Sequence, residues 1–502
     1  MPVGPGTPIV AIEIIRHDVF DLSDPRTDTW PYRTANRLHI LTREEFIRAQ
    51  LLFQEGDPLD LTLLAETERK LRATGFLNPV SVVARPGEGG AVVVVETYDK
   101  WTTDVNFKFG SFGGKSRSGF SLSEQNLLGR GKEVELEYHS DPERSTTTLR
   151  YRDPLFLATR WRMAAAYSNA SDGTVSALAF EYPFFALDSP FAGGLSWERN
   201  SLREWLWAGG KKVVGGESTS RTLRAWGGIR LAGPPGRIDR VLAGLFREEV
   251  SFEEWGYVDG RPFQPPENRT EVGFEFGWER QRDRWEVVQG FRAWERQEDL
   301  PLGPNWLVLV GVALEGWGSD RERFRLQAER RQGWLAGPQF SWLFTSVHGR
   351  WEGDGATGTV FRIEGGTART GGGGWRTRLA ADLGYGLEPN RQLTLGADTG
   401  LRGWAADTFD GTSRVVANAE WHRPITGELL GLGIVGVTVF ADAGKTWGAR
   451  VGRSTGGWRA DAGVGLQVEL TRASVVRVIR VELAWPDTGG GPTFLVISGS
   501  LF

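Results

Sequence analysis

Three patterns in the chain have residue types that could do chemistry. Gly452, Arg453, Ser454, Thr455 and Gly456 spell the Gly-x-Ser-x-Gly of a nucleophile elbow. That chemistry needs a sharp strand-to-helix turn presenting the serine to a histidine and an acid. The segment instead lies between Trp447 and Trp458 and reads as a hairpin loop. Gly110 to Ser116 approaches a phosphate-binding loop, but three residues precede its Gly-Lys-Ser where the pattern needs four, and no helix follows. It reads as a connection between strands. The five histidines, His17, His39, His139, His348 and His422, are scattered without paired metal-ligand spacing. Adjacent carboxylates such as Glu253 and Glu254 read as solvated loop charge. No enzyme, metal or cofactor is expected.

The 502 residues carry 59 Lys+Arg against 63 Asp+Glu, a formal charge of -4. This balance argues against nucleic-acid binding driven by bulk positive charge. With no cysteine, disulfide scaffolds, zinc-thiolate sites, iron–sulfur clusters and cysteine nucleophiles are excluded. Glycine, at 67 residues, is about twice its usual share of roughly 7%, and 22 tryptophans stand beside only 2 methionines. No stretch approaches the roughly 18 apolar residues of a membrane-spanning helix, and the opening MPVGPGTPIV lacks a cationic and then apolar leader. Transmembrane strands pass that filter, since each needs only about 9 to 11 alternating residues. An exported protein requires a leader, so the expectation is a signal peptide cleaved from the natural precursor.

Residues 1–8 read as a tail, and residues 9–97 alternate strand and helix signals, which predicts a small α+β domain. Val10, Ile12 and Ile14 open it as a strand. After an irregular Pro- and Asp-rich insertion through Pro31, Thr42-Arg43-Glu44-Glu45 has capping-box spacing and predicts a helix over Phe46, Ile47 and Leu51. Gln54 to Pro58 is a turn. A second helix follows, with Asp60 as N-cap, Leu63, Leu64 and Leu71 along it and Gly75 just past its end. Strands over Val80–Ala84 and Ala91–Val95 complete an order of strand, helix, helix, strand, strand.

From 98 to 502 apolar residues recur at every second position. Val272, Phe274, Phe276 and Trp278 share one face, with glutamates and glycines on the other. The same rule separates Val134, Leu136 and Tyr138 from Glu133, Glu135 and Glu137. It separates Leu379, Ala381, Leu383 and Tyr385 from Arg378, Asp382 and Gly384, and Ala462, Val464, Leu466 and Val468 from Asp461 and Glu469. Tight turns such as Asp172-Gly173 alternate with segments that read as long loops, Gly209 to Ser220 and Gly365 to Gly374, so short turns on one side and long loops on the other are expected. A water-soluble antiparallel sandwich or propeller shows the same one-faced strands. Against it stand the number of strands without a helical layer to cover them, a polar face rich in Arg and Glu that suits a hydrated lumen, and aromatic residues near strand ends. These are Trp161, Tyr167, Trp197, Trp278, Trp342, Trp421 and Trp485, the pattern of an interfacial girdle.

Five words of the sequence match one family in order and spacing. Gly119 to Lys132, GFSLSEQNLLGRGK, resembles the segment near the start of the barrel in the BamA/TamA superfamily of outer-membrane assembly proteins, the bacterial surface antigen family. Tyr151-Arg152-Asp153-Pro154-Leu155-Phe156 resembles the strand end that follows it. Leu401-Arg402-Gly403-Trp404 sits where the family has its Val-Arg-Gly-aromatic loop tip, Phe440-Ala441-Asp442-Ala443-Gly444 matches its Phe-x-Asp-x-Gly strand, and the chain ends in Phe502. The resemblance covers nearly the whole chain. It implies a mainly β fold: a C-terminal transmembrane antiparallel β-barrel of about 16 strands over residues 98–502, closed at a weak seam, after a single periplasmic POTRA domain over 9–97. Leu401 and Trp404 replace a commoner valine and Phe or Tyr, and Ser500 stands where the terminal signal is usually hydrophobic. One POTRA unit is also fewer than the several of the main assembly protein.

The strand period adds to this reading. Val435, Val437, Val439 and Ala441 share a face, which turns Phe440 and Asp442 to the lumen. By the same count Asn418 and Glu420 point inward, and Ala417, Ala419 and Trp421 to lipid. Arg402, on a loop folded back into the lumen, would meet Asp442, with Glu420 a second partner; in the family the matching arginine and aspartate are paired. Such a pair either pins the loop or takes part in gating. The resemblance implies a bacterial-type outer-membrane assembly, insertion or polypeptide-translocation factor. Its partners would be the lipid bilayer, unfolded outer-membrane or secreted polypeptide clients, and periplasmic or lipoprotein accessory factors, with no nucleic acid and no cofactor. The expected functional residues are Arg402, Gly403, Trp404, Phe440, Asp442 and Glu420. To these are added the seam strands, about 102–110 and 493–502, with Phe107, Phe109, Phe494, Val496 and Phe502. A passive pore, a structural outer-membrane protein, or a translocator dedicated to one secreted partner is the alternative; high open conductance would favour the pore.

Overall fold

A computed structural model describes residues 4–112, 115–353, 355–473 and 478–498. The N-terminal unit contains β1 (Ile9–His17), α1 (Trp30–Leu38), α2 (Glu44–Gln50), α3 (Leu61–Arg72), β2 (Leu77–Gly87) and β3 (Gly90–Asp99). β3 lies in the middle of a three-stranded sheet, parallel to β1 and antiparallel to β2. Ile9, Ile12, Val93 and Val95 of the sheet bury against Phe46 and Ile47 of α2 and Leu64 and Leu71 of α3. Asp60 caps α3 by accepting from the Thr62 amide at 2.8 Å. α1 is an addition to the two helices expected: Pro31 occupies its first turn, where a missing N–H costs nothing. None of its residues is buried, and the Pro- and Asp-rich run before it reads as an irregular insertion. The capping box is also corrected. Arg43, not Thr42, is the N-cap of α2, and the Thr42 hydroxyl and amide instead donate to Asp99 at 2.7 and 2.8 Å.

Beyond β3, twenty strands from Thr103–Phe112 to Thr493–Ser498 form one antiparallel sheet in chain order, and its last strand lies beside its first, closing a barrel. The expected sixteen is thereby corrected. That number came from the resemblance, whereas alternation marks faces and does not count strands. An even number keeps both ends of the sheet on the rim next to the N-terminal unit. Two small hairpins stand outside the ring: Trp285–Gln289 with Gln297–Pro301, and Leu393–Leu395 with Phe409–Gly411.

The outer face is apolar, as alternation requires: Leu136, Tyr138, Phe276, Leu379, Leu383, Val464 and Leu466 are all exposed, while Glu271 is wholly buried on the inner side. Both supposed long loops are strand. Gly209-Gly210 is a two-residue turn into Lys211–Leu231, and strand Gly355–Arg369 takes the first half of the second segment before a four-residue turn into the strand that begins at Gly374. Glycines in these stretches sit in the sheet where neighbouring side chains cross them, as Trp205 and Trp255 cross Gly215 and Gly216. The expected division into short turns and long loops also fails. Each rim carries one long insertion, 283–302 beside the N-terminal unit and 386–412 on the far side. Trp342 departs from the girdle as well. It faces the lumen and packs on Phe340 and Phe291. No described helix is long and apolar enough to cross a membrane, which leaves strands untouched.

The N-terminal unit is seated directly on the barrel rim. Arg43 donates its amide to Gly129 O at 2.8 Å, Asn126 Nδ2 donates to Thr42 Oγ1 at 2.7 Å, and Phe46 lies over Gly131 where a Cβ has no room. The GFSLSEQNLLGRGK segment is therefore a strand end and turn that receive α2. Gly129 and Gly131 both adopt positive φ there.

Candidate functional site

The 386–412 insertion folds back into the lumen and carries Arg402, which is fully buried. Alternation in the wall supplies the partners. Strand Ser413–Pro424 buries every second residue from Val416 to His422, and strand Gly433–Trp447 does so from Ile434 to Thr446. Asn418 stands opposite Asp442 and Glu420 opposite Phe440. Arg402 Nε donates to Asp442 Oδ2 at 2.7 Å and Nη2 to Asp442 Oδ1 at 2.9 Å, the two-pronged geometry that matches a guanidinium to a carboxylate. Nη1 donates to Glu420 at 3.1 Å and reaches Glu482 at 3.4 Å. The guanidinium carbon lies 3.4 Å above the Phe440 ring.

The loop tip is shaped to this wall. A Cβ on Gly403 would come within 2.6 Å of Asp461 Cβ and 3.0 Å of the Pro486 nitrogen, so only glycine permits the approach. Trp404 Nε1 donates to Ala460 O at 3.3 Å, and its ring lies 4.9 Å from that of Phe409. Asn418 Nδ2 donates to both Gly400 O and Asp442 Oδ1 at 2.8 Å, tying the loop backbone to the pair.

Arg480 and Glu482 were not among the residues expected. Arg480 bridges Glu420 and Glu482, giving two cations, Arg402 and Arg480, among the three carboxylates Glu420, Asp442 and Glu482. The signal was available: Ile479, Val481 and Leu483 alternate with Arg480 and Glu482, which puts both charges inward on strand Val478–Pro486. Asp461 is buried opposite Asp442, against the loop tip at Gly403.

The loop also reaches the end of the sheet. Thr493 Oγ1 donates to Gly403 O at 3.0 Å, and Leu495 packs with Ala397 and Phe440. Phe494 and Phe107 face outward from the last and first strands, and Val496 pairs with Val481. Phe109 pairs with Ser118 through the backbone. Phe502 lies outside the described residues. The chain entering the first strand is held by Trp101 N donating to Arg472 O at 3.0 Å and by Lys100 Nζ donating to Thr471 O at 3.0 Å. The elbow-like Gly452–Gly456 lies in the far-side connection between strands Gly433–Trp447 and Arg459–Leu470, and no cluster of three or more metal-binding side chains occurs among the described residues.

No family model and no curated protein matches the chain. Solved structures are similar to it. BamA from Haemophilus ducreyi lacking POTRA domains 1-3 aligns at 14% identity and TM-score 0.39, covering 98% of this chain and 84% of that one. CdiB from Acinetobacter baumannii aligns at 10% identity and TM-score 0.43, covering 98% and 73%. The outer membrane protein opdK from Pseudomonas aeruginosa aligns at 12% identity and TM-score 0.35, covering 79% and 96%.

Proposed function

We propose that this chain is an outer-membrane factor that handles polypeptides, inserting or translocating them through a barrel whose first and last strands form a seam. In this reading residues 9–97 are a periplasmic POTRA domain that captures an unfolded client by strand addition at a sheet edge. The observation that carries it is the position of the Arg402 loop. One tip is bonded at once to the lumen wall through Asp442, Glu420 and Glu482 and to the last strand through Thr493. A passive pore has no use for a fully buried guanidinium in its lumen, since burying a charge is costly unless its partners are arranged for it. Here the expense holds a loop against the seam. Unpaired backbone groups in lipid cost several kcal/mol each, so a client strand gains by pairing with the barrel edge before it leaves water.

The test is the rate at which a small unfolded outer-membrane barrel becomes protease-resistant in liposomes containing this protein, compared with empty liposomes and with Arg402→Ala. Acceleration that weakens in the variant supports the reading. No acceleration by protein shown to be folded in the bilayer refutes insertion, and conductance measurements then decide for a pore.

A further inference from the structure

The hairpin Trp285–Gln289 and Gln297–Pro301 rises between the tenth and eleventh strands of the barrel, on the rim that carries the N-terminal unit. It does not stay at that rim. Its tip crosses the mouth to the wall that carries the Arg402 partners. Trp294 and Glu295 both donate their backbone amides to the Glu469 carboxylate, and Arg376 donates to Phe291 O. The Trp294 indole stands edge-on to His422, ring centroids 6.4 Å apart, and fills the space that a side chain at Gly436 would need. Ala293 and Trp294 are 3% and 5% exposed, values of a packed core although both sit on a loop tip.

The second strand of the hairpin and the turn residue before it are held by the N-terminal unit. Arg72 on α3 forks onto Asp299 at 2.6 and 2.9 Å, Arg296 donates to Gly75 O at 3.3 Å, and Asn78 Nδ2 donates to Gln297 O at 3.3 Å. A cavity of about 930 Å³ remains between α3, the hairpin and the wall, lined in part by Lys70, Phe185, Trp285 and Trp342. The hairpin thus spans the mouth without filling it, and there is space into which it can move.

The seat of the tip adjoins the charged cluster. Arg376 stands directly opposite Glu420 in the sheet, and His422 Nδ1 lies 3.9 Å from Glu420 Oε1. Glu420 in turn receives Arg402 and Arg480. One continuous set of contacts therefore runs from α3 through Asp299, the hairpin and its tip to the residue that holds the inward loop.

From these contacts we infer that the 284–302 hairpin is a movable bar across the mouth, kept seated by the N-terminal unit and released when that unit lets go of Asp299. Ionic and backbone bonds to the N-terminal unit on one side and to the barrel wall on the other, with open space beside them, make an element with two arrangements, the requirement for passing a displacement between distant sites. The bar and its seat do not depend on which polypeptide is handled.

The chain has no cysteine, so Ala293→Cys introduces a unique thiol at the tip. The full chain carrying it, reconstituted in vesicles and verified as folded by heat-dependent gel migration, is treated with a maleimide permeant to the lumen. A seated tip reacts slowly. Adding Asp299→Ala is expected to speed labelling at least about tenfold, whereas Asp299→Glu, which keeps the carboxylate, stays near the parent rate. In planar bilayers, Gly-Ser replacement of 285–301 is expected to raise single-channel conductance and leave gel migration unchanged. Equal labelling in the Ala and Glu variants, or rapid labelling in the parent, overturns the link to the N-terminal unit. Unchanged conductance after replacement overturns the bar.

Discussion

Replacing Arg402 by alanine removes one guanidinium and leaves three carboxylates, Glu420, Asp442 and Glu482, facing one another with Arg480 as the remaining cation in direct contact. Asp442 suffers most, because it loses both prongs, at 2.7 and 2.9 Å, and keeps the amide of Asn418 and the longer bond from the backbone N–H of residue 402 at 3.4 Å. Breaking a buried pair from one side costs about 3–5 kcal/mol, chiefly through the orphaned charge. At about 1.4 kcal/mol per tenfold change, loop docking should weaken by about 10² to several times 10³. The assay is chymotryptic cleavage at Leu401 and Trp404 in the protein reconstituted in vesicles. Leu401 is fully buried in the docked loop, so cleavage reports undocking. Arg402→Lys keeps the charge and loses the fork, and should fall between parent and alanine variant. Arg402→Met combined with Asp442→Leu removes both members of the strongest pair and should be cut more slowly than Arg402→Ala, because no carboxylate is orphaned by it. Cleavage of folded Arg402→Ala at the parent rate would refute the premise that this cluster holds the loop.

Two further outcomes are expected. Gly403→Ala drives a methyl into Asp461 and the Pro486 backbone; it should weaken docking by about 1–3 kcal/mol, read by the same cleavage, and a parent-like rate would show that the tip does not touch the wall. At the junction with the barrel, burial pushes the Asp99 carboxyl up to about 6 from 3.8, although Thr42 hydrogen bonds oppose the shift. The folded junction then holds a proton that the unfolded chain has already released, so stability from this group is present at low pH and falls as pH rises between about 4 and 6. Asp99→Asn should flatten that dependence and exceed the parent at pH 8 by up to about 3 kcal/mol, measured as urea midpoints at pH 4 and 8. Parallel pH profiles for the two proteins would count against it.

Alternation along a strand is a local property, and what depends on it could be read from the chain alone. Phe440, Asp442, Asn418 and Glu420 face the lumen because a residue's face is set by its position in the pleat, whatever strand lies next to it. The cap at Asp60 is equally local, a side chain bonding an amide two residues on. The partners of those residues are another matter. Arg402 meets Glu482 from 80 residues away, Trp294 meets Glu469 from 175, and Arg72 meets Asp299 from 227. Which inward charge touches which is decided by the closure of the ring and the paths of two insertions, and neither leaves a periodic trace. Trp342 shows the limit plainly. An aromatic residue near a strand end suits a lipid interface or a lumen equally well, and it is Phe291, arriving on the crossing hairpin, that joins Phe340 to complete an inner surface for it to pack on. Thr42 shows it again, because the capping-box spacing is present but buried Asp99 competes for its hydroxyl and wins. The sequence by itself determined the faces and the polarity of the lumen. The tertiary structure decided the number of strands, the charge pairing and the bar across the mouth, because these arise from contacts that form only once distant segments share one closed surface.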